Sequence, residues 1–102
     1  MKIYRIAGLI KLYRGINISN KKYNSYYSTD KEWARQFTQS GRDSEIVTIN
    51  FNSNDIYIKE PLPHATSDIE FDEAMEEAKE KGFKAFMLDE GIGEPNSVYI
   101  IR

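Results

Sequence analysis

Three separated groups of residues carry side chains that could cooperate in chemistry. Residues 13–15 place an arginine directly before a glycine, and residues 89–94 contain three acids. Residues 26–37, which we call the aromatic corner, concentrate tyrosine, serine, threonine, tryptophan and phenylalanine. A guanidinium fork binds phosphate oxygens, glycine permits close backbone approach, and aromatic rings stack on flat ligands. We expect the functional centre of the protein at the aromatic corner.

Other common chemistries lack their residues in this sequence. Cysteine is absent and His64 is the one histidine, which excludes thiolate metal sites and makes a histidine metal site or a nucleophile–histidine pair improbable. His64 stands between Pro63 and Ala65 and is interpreted as a turn residue rather than a catalytic one. The glycines at residues 91–93 lack the lysine and helix start of a phosphate-binding loop. The sequence therefore predicts no metal site and no ordinary hydrolase.

The composition and the lack of cysteine also bear on location. No stretch approaches the roughly 20 apolar residues that a membrane-spanning helix needs, and Lys2 and Arg5 interrupt the apolar start. A chain without cysteine has no disulfide framework to favour an oxidising compartment. We expect a cytoplasmic protein, in its own or a host cell, with no membrane partner.

The elements that must position these groups are predicted from hydrophobic periodicity. With 102 residues, 40% of them hydrophobic and 29% charged, the chain is expected to form a single domain over residues 1–102. Short strands with two helices that do not alternate regularly predict the α+β class. Two-residue alternation predicts mostly antiparallel strands, and Asn52, Ser53 and Asn54 indicate a hairpin between the third and fourth main strands. The predicted strands are 11–16, 26–28, 45–51, 55–59, 83–88 and 97–101, with an earlier one at 2–6 and a loop at 17–25.

Two helices are predicted from capping signals and apolar spacing. Thr29 with Glu32 resembles a capping box that begins a helix ending at about Thr38, with Gly41 just beyond its end. A second helix is predicted over residues 68–81, where apolar residues recur at helical spacing. Those residues are Phe71, Ala74, Met75 and Ala78.

Charge is unevenly divided along the chain. Residues 1–42 contain nine basic and two acidic residues, whereas residues 43–102 contain five basic and fourteen acidic residues. The basic half can attract an anion, or the two halves can simply complement each other in the fold. Nucleic acid is a weaker expectation, because the acidic half would repel a polyanion.

The order of the three groups resembles the ADP-ribosyltransferase superfamily. In that family an Arg-Gly or His-Gly pair ends one strand, an aromatic strand enters a helix, and an acid stands near a late strand. The resemblance implies a compact ADP-ribosyltransferase-like fold and transfer of ADP-ribose from NAD to a macromolecular acceptor, expected to be a protein. Small members include bacterial toxins and phage proteins that modify host targets. The residues implied to bind NAD are Tyr13, Arg14, Gly15, Tyr26, Tyr27, Ser28, Thr29, Trp33 and Phe37.

The resemblance also implies roles within this set. Arg14 would bind the ribose or phosphates of NAD, and Gly15 would offer its backbone to the nicotinamide amide. Tyr26 and Phe37 match two aromatic positions that flank nicotinamide, while Ser28 and Thr29 form part of a Ser-Thr-Ser element. Taken without the resemblance, Arg14 could form a cross-strand ion pair and the aromatic residues could be core residues.

The catalytic acid is expected in the loop before the last strand. The order of preference is Glu94, then Glu90, then Asp89, each able to stabilise a positively charged transition state. Asn96 and Ser97 occupy the place where the family usually carries its glutamate, and Ala34 stands where one branch carries serine. These departures leave a second hypothesis open, in which the protein is a non-catalytic inhibitor that uses this scaffold to block a partner protein.

Overall fold

A mixed six-stranded sheet is the framework of the chain in the computed structural model, which describes residues 8–16, 25–38 and 45–101. Its strands are β1 (Leu9–Gly15), β2 (Tyr26–Ser28), β3 (Ile46–Asn52), β4 (Ile56–Tyr57), β5 (Ala85–Leu88) and β6 (Ser97–Ile100). The helices are α1 (Lys31–Arg35) and α2 (Asp68–Glu80). The predicted α+β class with two helices is confirmed. The predicted strand 2–6, most of the loop 17–25 and Gly41 lie outside the described residues.

The strands lie in the order β3-β1-β2-β6-β5-β4, and neighbours are antiparallel except for the parallel pair β4–β5. The predicted hairpin between β3 and β4 is wrong, because these strands occupy opposite edges of the sheet. A short 3-10 helix (Ser53–Asp55) joins them, and Asn52 caps it by accepting a hydrogen bond from the N–H of Asn54 over 2.9 Å. Ile56 then enters the core beside Ala85 instead of returning along β3.

Side chains alternate across the sheet and form two apolar layers. One layer consists of Leu12, Tyr27, Ile56, Ile58, Ala85, Met87 and Val98. The opposite layer is covered by α2, whose Ala74 and Ala78 are fully buried against Phe86 and Leu88. In the part of the chain described, no helix is long and apolar enough to cross a membrane.

The start of α1 differs from the prediction. Asp30, rather than Thr29, is the N-cap residue, and its Oδ1 accepts hydrogen bonds from the N–H groups of Glu32 (2.7 Å) and Trp33 (3.2 Å). The predicted capping box is therefore wrong. Thr29 is instead tied to the residue before the neighbouring strand β6, since its hydroxyl donates to the carbonyl of Asn96 over 2.9 Å. Both residue types can cap a helix, and this long-range bond engages Thr29 elsewhere.

A glycine sets how closely α1 approaches the sheet. A Cβ atom on Gly15 would lie 2.1 Å from the carbonyl oxygen of Ala34 and 3.0 Å from backbone atoms of Phe37 and Thr38. No side chain fits between the end of β1 and this helix. Gly15 therefore allows α1, which is part of the aromatic corner, to lie directly against β1.

Candidate functional site

A cleft opens where β1 and β2 part. The two strands are paired at Tyr13 and Ser28. Continued antiparallel pairing would place Arg14 opposite Tyr27 and Gly15 opposite Tyr26, but neither pair forms among the described residues. These four residues instead line a cleft of about 290 Å³, against which α1 also packs. A gap between two strands thus becomes a concave site.

The cleft unites groups that lie far apart in the sequence. Its lining consists of Tyr13, Arg14, Gly15, Tyr26, Tyr27, Ser28, Trp33, Ala34, Phe37, Glu90 and Ser97. Every residue named above as a candidate NAD contact is in this lining except Thr29, which is exposed beside Asn96. The structure therefore places a cation, several aromatic rings and one carboxylate around a common space.

Arg14 is a partly buried cation with unsatisfied donors. Its Nε and Nη1 atoms are inaccessible to solvent and have no hydrogen-bond partner in the described structure. The guanidinium carbon lies 6.0 Å from the centre of the Tyr27 ring, a cation–π distance. Among the described residues, Arg14 forms no cross-strand ion pair. Because Arg14 lines the cleft, its guanidinium is the positive group available there to an acceptor-rich ligand.

Arg14 and Tyr26 approach the cleft from different faces of the sheet. Alternation along β1 and β2 puts Arg14 on the side of Leu12 and Tyr27, and Tyr26 on the side of Ser28. Both nevertheless line the cleft, since it lies at the point where the sheet parts. A ligand held there would pass between the two strands.

Tyr26 is fixed by an aromatic cluster beneath α2. Its ring centre lies 4.9 Å from that of Tyr99 in an edge contact and 6.3 Å from that of Phe71. Burial raises the pKa of the Tyr26 hydroxyl above its ordinary value of 10.0, and the nearby Tyr99, Glu90 and Asp68 raise it further. The ring is thus a rigid wall that carries a neutral hydroxyl at physiological pH.

Trp33 and Phe37 form a second aromatic group on the α1 side of the cleft. Their ring centres are 6.0 Å apart and their planes are inclined at 68°. Phe37 is 45% exposed, a high value for a phenylalanine. The cleft therefore has a packed wall at Tyr26 and a more open wall at Phe37.

The three candidate acids occupy different positions in the loop between β5 and β6. Glu90 lines the cleft, and the hydroxyl of Ser97 donates a 2.5 Å hydrogen bond to its Oε2. Asp89 accepts a bond from the N–H of Gly91 over 2.9 Å and is not part of the lining. Glu94, the preferred acid from sequence, is exposed and also outside the lining. The carboxylate that the structure brings to the cleft is Glu90.

One polar residue of the site had no role in the sequence-based prediction. Ser97 is 5% exposed and begins β6, where it contacts Glu90. The sequence does mark this position, because Ser97 is a polar residue at the start of an otherwise apolar strand. Its partner could not be read from the sequence, since the hydrogen bond spans a seven-residue separation.

In the described residues no group of three or more acids and histidines is placed to hold a metal ion. The chain matches no protein-family model, no curated protein and no solved structure in the comparisons with known proteins.

Proposed function

We propose that the protein is an NAD-dependent ADP-ribosyltransferase with an ADP-ribosyltransferase-like fold. The observation that supports this most is that Arg14, Gly15, Tyr26, Phe37 and Glu90 line one cleft. In the family that the sequence resembles, an arginine–glycine pair, two aromatic residues and an acid are all expected to contact one bound NAD molecule. The acid in this proposal is Glu90.

The size and lining of the cleft fit part of NAD. Small-molecule sites range from roughly 300 to 1,000 Å³, so a cleft of about 290 Å³ would enclose the nicotinamide and its ribose rather than the whole dinucleotide. Nicotinamide is a flat ring suited to the Tyr26 and Phe37 walls. The guanidinium of Arg14, which lines the cleft, would bind the pyrophosphate or a ribose oxygen.

The proposed reaction breaks the bond between ribose C1′ and the nicotinamide nitrogen. The bonding electrons leave with nicotinamide, which becomes neutral, while positive charge develops on the ribose. Glu90 would stabilise this charge and orient a ribose hydroxyl. A nucleophile of the acceptor then forms the new bond to C1′ and releases its proton to solvent. The acceptor in this proposal is a side chain of a protein.

Nicotinamide release from NAD tests the proposal. Replacing Glu90 with Gln preserves its shape but removes its charge, and we expect kcat to fall at least about 100-fold, as for other lost transition-state contacts. Arg14→Ala should raise KM, and Arg14→Lys should restore part of the affinity because it retains the charge. Glu76→Gln, an exposed change on α2, is the matched control.

Two results would count against this assignment. Equal activity of the wild type and Glu90→Gln would remove Glu90 from the mechanism, and loss of activity in Glu94→Gln alone would return the role to Glu94. Calorimetric titration with NAD distinguishes the enzyme from the non-catalytic inhibitor. The inhibitor hypothesis predicts no NAD binding and a tight complex with a partner protein. An active wild type would exclude that hypothesis.

A further inference from the structure

Ser97 is a buried hydroxyl that contacts the acid of the cleft directly. It is 5% exposed, and its Oγ donates to Oε2 of Glu90 over 2.5 Å. A hydrogen bond to an ionised carboxylate at this distance is short and strong. Both residues line the cleft.

Ser97 is held by the centre of the sheet. It is paired with Ser28 of β2 on one side and with Leu88 of β5 on the other. Glu90, by contrast, lies in the loop that follows β5, two residues beyond Leu88. The Ser97 hydroxyl therefore connects a loop carboxylate to a strand that is fixed on both edges.

We propose that Ser97 is a positioning residue for the reaction. It holds Oε2 of Glu90 and thereby orients Oε1 toward the ligand in the cleft. Without the hydroxyl, Glu90 would keep its charge but lose its fixed orientation, so fewer bound molecules would have the carboxylate next to the developing charge. The kinetic role rests on the function proposed above, whereas the restraint on Glu90 can be measured without turnover.

Kinetics of Ser97→Ala test the role in catalysis. We expect kcat to fall about 10- to 100-fold, the effect of losing one hydrogen bond to a charged group, with KM for NAD unchanged. Ser97→Thr keeps the hydroxyl on a β-branched residue suited to a strand and should retain most of kcat. Ser53→Ala removes another buried hydroxyl, outside the cleft, and is the matched control. An unchanged kcat in Ser97→Ala, or a change confined to KM, would overturn the proposal.

The side-chain carboxyl carbon of Glu90 gives a second, activity-independent measurement. In 13C NMR of protein labelled at glutamate, its resonance is assigned by its loss in Glu90→Gln. Ser97→Ala should move this resonance, and Ser53→Ala should leave it in place. If it moves but wild type releases no nicotinamide, the proposed function fails while the restraint on Glu90 stands. A resonance that does not move in Ser97→Ala refutes the restraint whether or not the wild type is active.

Discussion

Replacing Gly15 with Ala adds one methyl group at the tightest contact between α1 and the sheet. Its Cβ would lie 2.1 Å from the carbonyl oxygen of Ala34. Carbon and oxygen atoms approach to roughly 3.3 Å even in favourable C–H···O contacts, so this separation must grow by about 1.2 Å. The opposing atom belongs to the backbone, and no rotamer change can relieve the clash. Relief requires α1 or the end of β1 to move.

The cost follows from two opposing terms. Overpacking a well-packed contact costs typically about 1–3 kcal/mol, and a backbone clash belongs at the upper end. Alanine also lowers the conformational entropy of the unfolded chain, which stabilises the folded state by roughly 0.4–1 kcal/mol. A net loss of about 2 kcal/mol lowers Tm by roughly 8–16 °C in a domain of this size.

Urea and thermal unfolding, followed by circular dichroism, measure this loss. Lys11→Ala is the control, since Lys11 is exposed on the same strand and a surface change of this kind is usually worth less than about 0.5 kcal/mol. A Gly15→Ala protein within that margin of the wild type would refute the packing argument. Glycine would then be present only for its backbone approach to a ligand, as the family resemblance implies.

Three further predictions concern individual side chains. Asp30→Ala should lower the free energy of unfolding by about 1 kcal/mol in urea, because two N–H groups lose their acceptor, and an equal effect of Thr29→Ala would contradict this capping assignment. The raised pKa of Tyr26 means that the folded state holds its proton more tightly, so its contribution to stability is complete below pH 10 and is lost as the pH rises through the folded pKa. As the pH is raised through this range, the free energy of unfolding measured in urea should therefore fall less steeply in Tyr26→Phe than in the wild type. An equally steep fall in both proteins would contradict the raised pKa of Tyr26. Hydrogen bonds from Lys59 and then Tyr57 lower the pKa of Glu77 below its ordinary value of 4.5, so their stabilisation is complete above pH 4.5 and is lost as the pH falls through the folded pKa. In Glu77→Gln the free energy of unfolding should therefore depend less on pH in this range, and an unchanged pH dependence would contradict a stabilising role for these hydrogen bonds.

Local patterns in the sequence predicted the elements but not their partners. The alternation of Val47, Ile49 and Phe51 identified β3, and the spacing of Ala74 and Ala78 identified α2, because each pattern reports a buried face within one element. Pairing between strands depends on contacts distant in sequence. Three polar residues at 52–54 favour a reversal as readily as the 3-10 helix that forms there, and so the hairpin was predicted in error.

The candidate site shows the same division. Residue type and order were enough to name Arg14, Tyr26 and Phe37 as candidates, and the structure brings them to one cleft. The choice among the acids depends on side-chain direction within an irregular loop, which has no periodicity to reveal it. Glu90 is distinguished by the hydroxyl of Ser97, a contact made by tertiary structure alone.

The cleft and the packing of α1 have a common origin at the end of β1. Gly15 allows α1 to lie directly on this strand, while the Tyr26 ring packs toward Tyr99 and Phe71. Gly15 thus contacts α1 and Tyr26 contacts the aromatic cluster, and these two residues do not pair with each other across the opening. A change that loosens α1 must therefore alter the cleft as well as the stability, because Trp33 and Phe37 move with the helix. Ligand affinity and unfolding free energy should fall together in Gly15 variants, whereas Ser97 variants should separate catalysis from binding.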